Sequence, residues 1–434
     1  MTIWQDPWLP SGFTRHHGNL FCEQIPVSKL VAQFGTPLYV YSASHIEEQI
    51  QKLHQAFAST NMLCCYAVKA NDNLGILKLC KNLGTGFDVV SGGELERVLS
   101  IGADPKTVVF SGVGKTETEL LKAARLGICS INIESTAEAE LIMRLAKQYD
   151  VVFNVSIRVN PDVDPQTHPK IATGLAGSKF GIDIQTTRKL YQRLLQAKNI
   201  HISGIAFHIG SQLLSHQPII SALKRVQLLV TELQQEHINI SHIDIGGGFG
   251  IQYTVEQQPL DIRLLAQDVL TELTSFTGNL LLEPGRWLVG NAGILCTTVL
   301  YTKTTASGKQ LLIVDAAMND LLRPALYDAH HDVAPMTVKD TNECLAVDLV
   351  GPVCESSDVL ASQVKLPPQV PNDILTLLST GAYGSVMSGT YNTRPRPTEI
   401  LVKNNQFVVL RHRETMDSLL QRDQHQLNWQ PLSS

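Results

Sequence analysis

Eight short apolar runs, each ending in polar or glycine residues and each followed by a longer amphipathic stretch, recur between about residue 60 and residue 285. They end at "YAVKAN", "FDVVSGGE", "VVFSGVGK", "INIES", "SIRVNP", "AFHIGS", "HIDIGGGFG" and "LLLEPGR". Alternating strand and helix signals require a parallel sheet, because parallel neighbours need a crossover between them. Eight in sequence predict a closed (β/α)8 TIM barrel. An open doubly wound sheet would instead place one glycine-rich fingerprint after its first strand, whereas "GGGFG" follows the seventh run. The run ends therefore mark the C-terminal rim, where such barrels carry their chemistry.

After Arg286 the rhythm changes. "ILCTTVLYTKTTASGKQLLIVD" and "TEILVKNNQFVVLRHRE" each hold two β-rich runs around a turn and read as hairpins. Residues 287–415 are thus expected to form a mostly antiparallel β domain, Greek-key or sandwich-like, and residues 43–286 the barrel. Segment 1–42 contains "GTPLYVYS", which can lend a strand to the β domain, and 416–434 reads as a polar tail. A chain of 434 residues accommodates two such cores.

Bulk properties exclude several function classes. No apolar stretch is long enough to span a bilayer, and the first residues lack the basic-then-apolar order of a secretory signal. A net charge of -5 offers no broad basic face for nucleic acid. None of the eight cysteines forms a C-x-x-C pair, and most lie in apolar runs. That pattern fits reduced, buried thiols in a cytoplasmic protein and gives no metal site.

The rim residues each admit a plain and a chemical reading. Lys69, at the end of an apolar run, is either a snorkelling lysine or an amine that attacks a carbonyl, partial burial helping to shed its proton. Asp88 either orients a nearby cation or holds its loop. Ser91 and Glu94 fit a capping box for the next helix. His208 is a satisfied polar residue or lies flat against a planar ligand, with Ser211 offering a hydroxyl to a phosphate. Gly246, Gly247 and Gly248 make a tight turn or let backbone N–H groups approach an anion. "EPGR", Glu283 to Arg286, sets a carboxylate and a guanidinium beside that turn. In "GPVCESSD", Cys354 is an incidental thiol in a turn or a proton donor. Tyr383 in "GAYG" is a packing aromatic or a site residue.

Together these stretches, with "RVNPDVDPQTHPKIATG", "SKFGI", "EPGRWLVGNAG", "LLRPALY" and "GAYGSVMSGTYNTRPRP", resemble the fold-type III pyridoxal-phosphate decarboxylases, the group of alanine racemase and ornithine decarboxylase. The likeness runs from about residue 35 to 415 and is strongest to the branch acting on diaminopimelate. It implies pyridoxal 5'-phosphate as cofactor, with Lys69 as its Schiff-base lysine and His208 packed on its ring. Asp88, Ser211, Gly247, Gly248, Gly285, Arg286 and Tyr383 would contact the cofactor, and Glu283 its pyridine nitrogen. Arg286, Arg323, Tyr327 and Tyr383 would receive the substrate's far end, Glu355 its far amine. Cys354 would be the proton donor. In the family the counterparts of Cys354 and Glu355 enter the neighbouring subunit's site, which implies a homodimer. Lys179 and Asp358 would then pair across the interface, or else be solvated loop charges.

The far end sets the expected substrate. Ornithine and arginine decarboxylases of this group usually carry Cys-Asp where this chain has Cys354-Glu355, and they bind no second carboxylate. Arg323 and Tyr327 suit one. The resemblance thus implies decarboxylation of meso-2,6-diaminopimelate to L-lysine and CO2, the last step of lysine biosynthesis. The alternatives are a decarboxylase of another diamino acid or a non-catalytic relative. Such relatives tend to lose the lysine, the glycines or the thiol, and all are present. Ala317 and Ser357 stand where the family commonly has glycine.

Overall fold

The structure is a computed structural model and describes residues 7–164, 179–339, 341 and 343–423. Most of "DPQTHPKIATG" and the last residues of the tail lie outside the described residues. All eight runs form strands: β1 Met62–Ala67, β2 Gly86–Val89, β3 Val108–Phe110, β4 Ser130–Ile133, β5 Phe153–Asn160, β6 Ile200–Ala206, β7 His242–Asp244 and β8 Asn279–Leu282. Each pairs in parallel with the next, and β8 pairs with β1, so the barrel closes.

Side chains alternate across each strand. Tyr66, Phe87, Val89, Phe110, Ile131, Ile157, Ile243 and Leu282 join the large core between strands and helices. The inward positions differ from the apolar filling usual in such barrels. Cys65, Val109 and Leu281 make a separate small cluster. Beside it the hydroxyls of Ser130, Ser156 and Ser203 bond to one another, and His242 Nε2 lies 3.1 Å from Ser156 Oγ. One pleat nearer the rim stand Asp88, Asn132, Arg158 and Asp244. The barrel core is thus increasingly polar toward the end where chemistry is expected.

The rim loops are fixed by the helices that follow them. Asn73, Ser91, Thr116, Ser135, Asp183 and Asp261 each accept an N–H of the first helical turn. At Ser91 the reciprocal bond is displaced by one residue, since Glu94 accepts from Val90 N–H. Burial pushes the Glu94 carboxyl up to about 7.

The second sheet is built around Gly293–Thr304. It pairs antiparallel with Gln310–Val314, with Ile374–Leu377 and with Leu38–Ser42 from the N-terminal segment. Leu38–Ser42 therefore lies inside this sheet, with Thr398–Lys403 parallel on its other side. The Asn404-Asn405 hairpin joins Thr398–Lys403 to Gln406–Arg411. In the stretch read as a polar tail, Met416–Leu420 is a short helix capped by Thr415, with Leu419 buried. No helix among the described residues is long and apolar enough to cross a membrane.

Candidate active site

The rim encloses a cavity of about 670 Å³ that Lys69, Ser111, Arg158, His208, Ser211, Tyr253, Glu283, Arg286, Arg323, Tyr327 and Tyr383 help to line. Lys69 stands in the turn Val68–Ala70 that ends β1. That turn is held from both domains: Ala67 N–H donates to Pro284 O at 3.1 Å, and Tyr383 N–H donates to Ala70 O at 2.8 Å. Tyr383 has φ 56°, a left-handed conformation that costs a bulky residue energy and is found where a site demands it.

Lys69 is not a snorkelling surface lysine: its side chain keeps 38% of its surface accessible, and it lines the cavity. Its Nζ lies 2.5 Å from Asp88 Oδ2, whose side chain is fully buried. Burial by itself would lower the Lys69 pKa, but neighbouring negative charge, that of Asp88 foremost, outweighs it and holds it above the ordinary lysine value. Burial acts in the expected direction, favouring the neutral amine, but neighbouring charge outweighs it. Burial, then the charges of Asp244 and Asp88, push the Glu283 carboxyl well above the usual range. Asp244 is pushed up to about 6 by burial, although Gly246 N–H donates to its Oδ1 at 2.8 Å.

His208 Nδ1 accepts from Gly247 N–H at 3.2 Å, so a neutral ring carries its proton on Nε2. Burial, with the cations of Arg158 and Lys69, keeps the ring neutral. The glycine turn is sterically required. A Cβ on Gly247 would run into the carbonyl oxygen of Glu283, and one on Gly248, where φ is +87°, into that of Gly210. Gly285 is equally confined, since a Cβ there would lie 2.9 Å from that of Ala70.

At the far wall sit two arginines with residue exposures of only 8% (Arg286) and 7% (Arg323). Arg286 donates to Tyr253 Oη at 2.6 Å and to Ser211 Oγ at 3.0 Å, and its guanidinium lies 4.8 Å from the centre of the Tyr383 ring. Its Nε is buried without a partner. Arg323 donates to His331 Nε2 at 2.8 Å and lies 4.9 Å from the centre of the Tyr253 ring. Among the described residues neither forms an ion pair with a carboxylate. Burial raises the Tyr253 pKa, but the two guanidiniums outweigh it and the net shift is downward. Buried cations without a counter-ion are costly. Their arrangement is that of a receptor for an anion.

Cys354 and Glu355 stand apart. Neither lines the cavity of its own chain, and Cys354 is exposed. Asn392 Oδ1 accepts from Cys354 N–H at 2.9 Å, and Tyr391 Oη donates to the Glu355 carboxylate. Asp358 is not a solvated loop charge. It is 3% exposed, and its oxygens accept from Val353 N–H at 2.7 Å in its own loop and from Met318 N–H at 2.6 Å in a neighbouring segment. Lys179 is exposed and rests 5.1 Å from the centre of the Phe180 ring. Neither Ala317 nor Ser357 lines the cavity.

The family described as pyridoxal-dependent decarboxylase, pyridoxal binding domain, matches residues 43–290. The diaminopimelate decarboxylase of Neisseria meningitidis serogroup B is 46% identical over 92% of this chain and 95% of its own length. The chain belongs to the diaminopimelate decarboxylase family. The crystal structure of the Helicobacter pylori member complexed with L-lysine superposes with a TM-score of 0.88 at 37% identity, covering 91% of this chain and 98% of that one. The M. jannaschii member in co-complex with L-lysine gives 0.91 at 36% identity, covering 96% and 98%.

The sequence reading missed Tyr253, Arg158 and His330 as cavity-lining residues, and His331 as the buried partner of Arg323. Arg158 had a findable signal, since it sits on the inward face of β5 near its C-terminal end. Tyr253 lies in a loop with no periodicity to flag it.

Proposed function

We propose that this protein removes one carboxyl group of meso-2,6-diaminopimelate as CO2, leaving L-lysine, with pyridoxal 5'-phosphate as cofactor. One observation carries the reading: a single cavity joins the Lys69 amine to two buried guanidiniums that, among the described residues, have no carboxylate partner. A substrate with an amine at one end and a carboxylate at the other satisfies both. The residues also fit the cofactor. Lys69 would hold its aldehyde carbon, the backbone at Gly247 and Gly248 with Ser211 would lie against its phosphate, and Glu283 would face its ring nitrogen. The Gly247 and Gly248 positions leave no room for a side chain, as a backbone anion cradle requires. When bound, pyridoxal 5'-phosphate supplies the sink for the electron pair that departing CO2 leaves behind.

The chain's own groups do the rest. Asp88 keeps Lys69 Nζ oriented and releases it when the amine becomes neutral. Glu283 holds a proton in a dry site, and His208, neutral, presents an uncharged ring face. Arg323 and Tyr327 grip the far carboxylate and fix which bond of the reacting carbon is aligned for cleavage. The Cys354 thiol delivers the proton to that carbon, coming with Glu355 from the neighbouring chain of a homodimer, since neither reaches its own chain's cavity. The test is CO2 release by purified holoenzyme from meso-diaminopimelate, L-ornithine and L-arginine in parallel. Turnover of diaminopimelate alone supports the reading, and preference for either of the others overturns it.

A further inference from the structure

Arg323 is buried, yet its hydrogen-bond partners are a histidine and the Tyr253 hydroxyl rather than a carboxylate. Arg323 Nη1 donates to His331 Nε2 at 2.8 Å. His331 Nδ1 lies 2.8 Å from the carbonyl oxygen of Leu378, which can only accept. Nδ1 therefore bears the hydrogen and Nε2 the lone pair, so the tautomer is fixed by its two partners. The His331 ring is 1% exposed, and the Tyr253 ring meets it edge-on at 5.5 Å and 89°. The same Tyr253 ring lies under the guanidinium of Arg323. Burial, then the charge of Arg323, keeps the imidazole uncharged.

A buried guanidinium is usually matched by a carboxylate. A carboxylate at this place would orient Arg323 equally well and would also cancel its charge. Histidine orients without cancelling. We propose that His331 is a positioning residue that sets substrate specificity: it fixes the fork of Arg323 while leaving its positive charge for the second carboxylate of the substrate. The inference deepens the reading above and rests on it for the identity of the anion.

The test uses holoenzyme carrying His331→Gln, His331→Leu or His331→Glu. Steady-state kinetics with meso-diaminopimelate are paired with calorimetric binding of L-lysine, which keeps the far carboxylate, and of 1,5-diaminopentane, which lacks it. His331→Glu should raise KM and the L-lysine Kd by about tenfold or more, leave the 1,5-diaminopentane Kd within about twofold, and change kcat by less than about threefold. Gln, a neutral acceptor, should recover most of the L-lysine affinity, and Leu should fall between. If the Glu variant does not fold, judged by its melting curve, the Leu and Gln pair decides: Leu must weaken L-lysine several-fold more than Gln does. Equal shifts for L-lysine and 1,5-diaminopentane, or equal shifts for Gln and Glu or Leu, overturn the proposal. A wild-type enzyme that binds L-lysine in this manner but releases no CO2 from diaminopimelate would sink the functional reading and leave the role of His331 standing.

Discussion

Replacing Asp358 by alanine tests how the loop bearing Cys354 is built. The carboxylate accepts two backbone N–H groups, from Met318 at 2.6 Å and from Val353 at 2.7 Å, at a residue 3% exposed. Losing it strands two largely buried donors, each worth about 1–3 kcal/mol. Removing a carboxylate that burial disfavours, as its raised pKa indicates, offsets part of this. The net expectation is a loss of about 2–3 kcal/mol. Unfolding entropy of about 2.1 cal/mol/K per residue gives about 0.9 kcal/mol/K for a chain of 434 residues. The melting temperature should therefore fall by about 2–3 °C. Asp358→Asn should recover at most half, because its amide offers one acceptor and turns a second donor toward an N–H. Lys179→Ala should be silent. Thermal melts of holoenzyme at saturating cofactor measure all three. An Asp358→Ala melt indistinguishable from wild type would refute the reasoning, and an equal loss in Lys179→Ala would point instead to an ion pair between Lys179 and Asp358.

Lys69→Ala should lose the visible absorbance of bound cofactor and nearly all turnover, and retained activity above about a few per cent would remove Lys69 from its role. Arg323→Lys should cost about 2–4 kcal/mol in kcat/KM on diaminopimelate, because a point charge cannot reproduce the planar fork. The same loss on a substrate lacking the second carboxylate would contradict the specificity argument. Mixing Lys69→Ala and Cys354→Ala chains after reversible dissociation should restore about a quarter of the sites, since random pairing makes half the dimers hybrid with one intact site each. No recovery, with hybrids confirmed by mass, would place the thiol's action within its own chain or nowhere. His242 titrates near 4 in the fold against 6.5 unperturbed, chiefly through burial. Its neutral form is the folded one, so its contribution is complete above the unfolded value and is lost as pH falls toward 4, by about 2 kcal/mol at pH 5. The stability gap between wild type and His242→Asn should shrink accordingly between pH 7.5 and 5, and a gap independent of pH would show that His242 does not titrate as its burial demands.

The parts that sequence made legible are those governed by period and punctuation. Eight run ends became eight strand ends, because apolar residues facing the helices recur at strand spacing and helix caps follow at fixed offsets. Composition along a run hid what lay on the other face. "CYAVKAN" reads as apolar, yet its inward side approaches Asp88 and Glu283 from other strands, and the charge state of Lys69 depends on those partners rather than on its own neighbours. "DAHHDV" shows the limit more sharply. Its two adjacent histidines are equivalent in the sequence. In the fold His330 is exposed and lies 2.6 Å from Asp332, while His331 is enclosed between Arg323 and the carbonyl of Leu378. A turn of the chain sends consecutive side chains to opposite environments, and no local pattern tells which one meets the arginine. Pairing information of this kind resides in distant partners, Leu378 and Tyr253 among them, and emerges only when the barrel and the β domain are packed together. The site's most specific feature, an oriented but uncompensated guanidinium, is therefore a property of tertiary contact, whereas the lysine that faces it across the cavity was marked by motif alone.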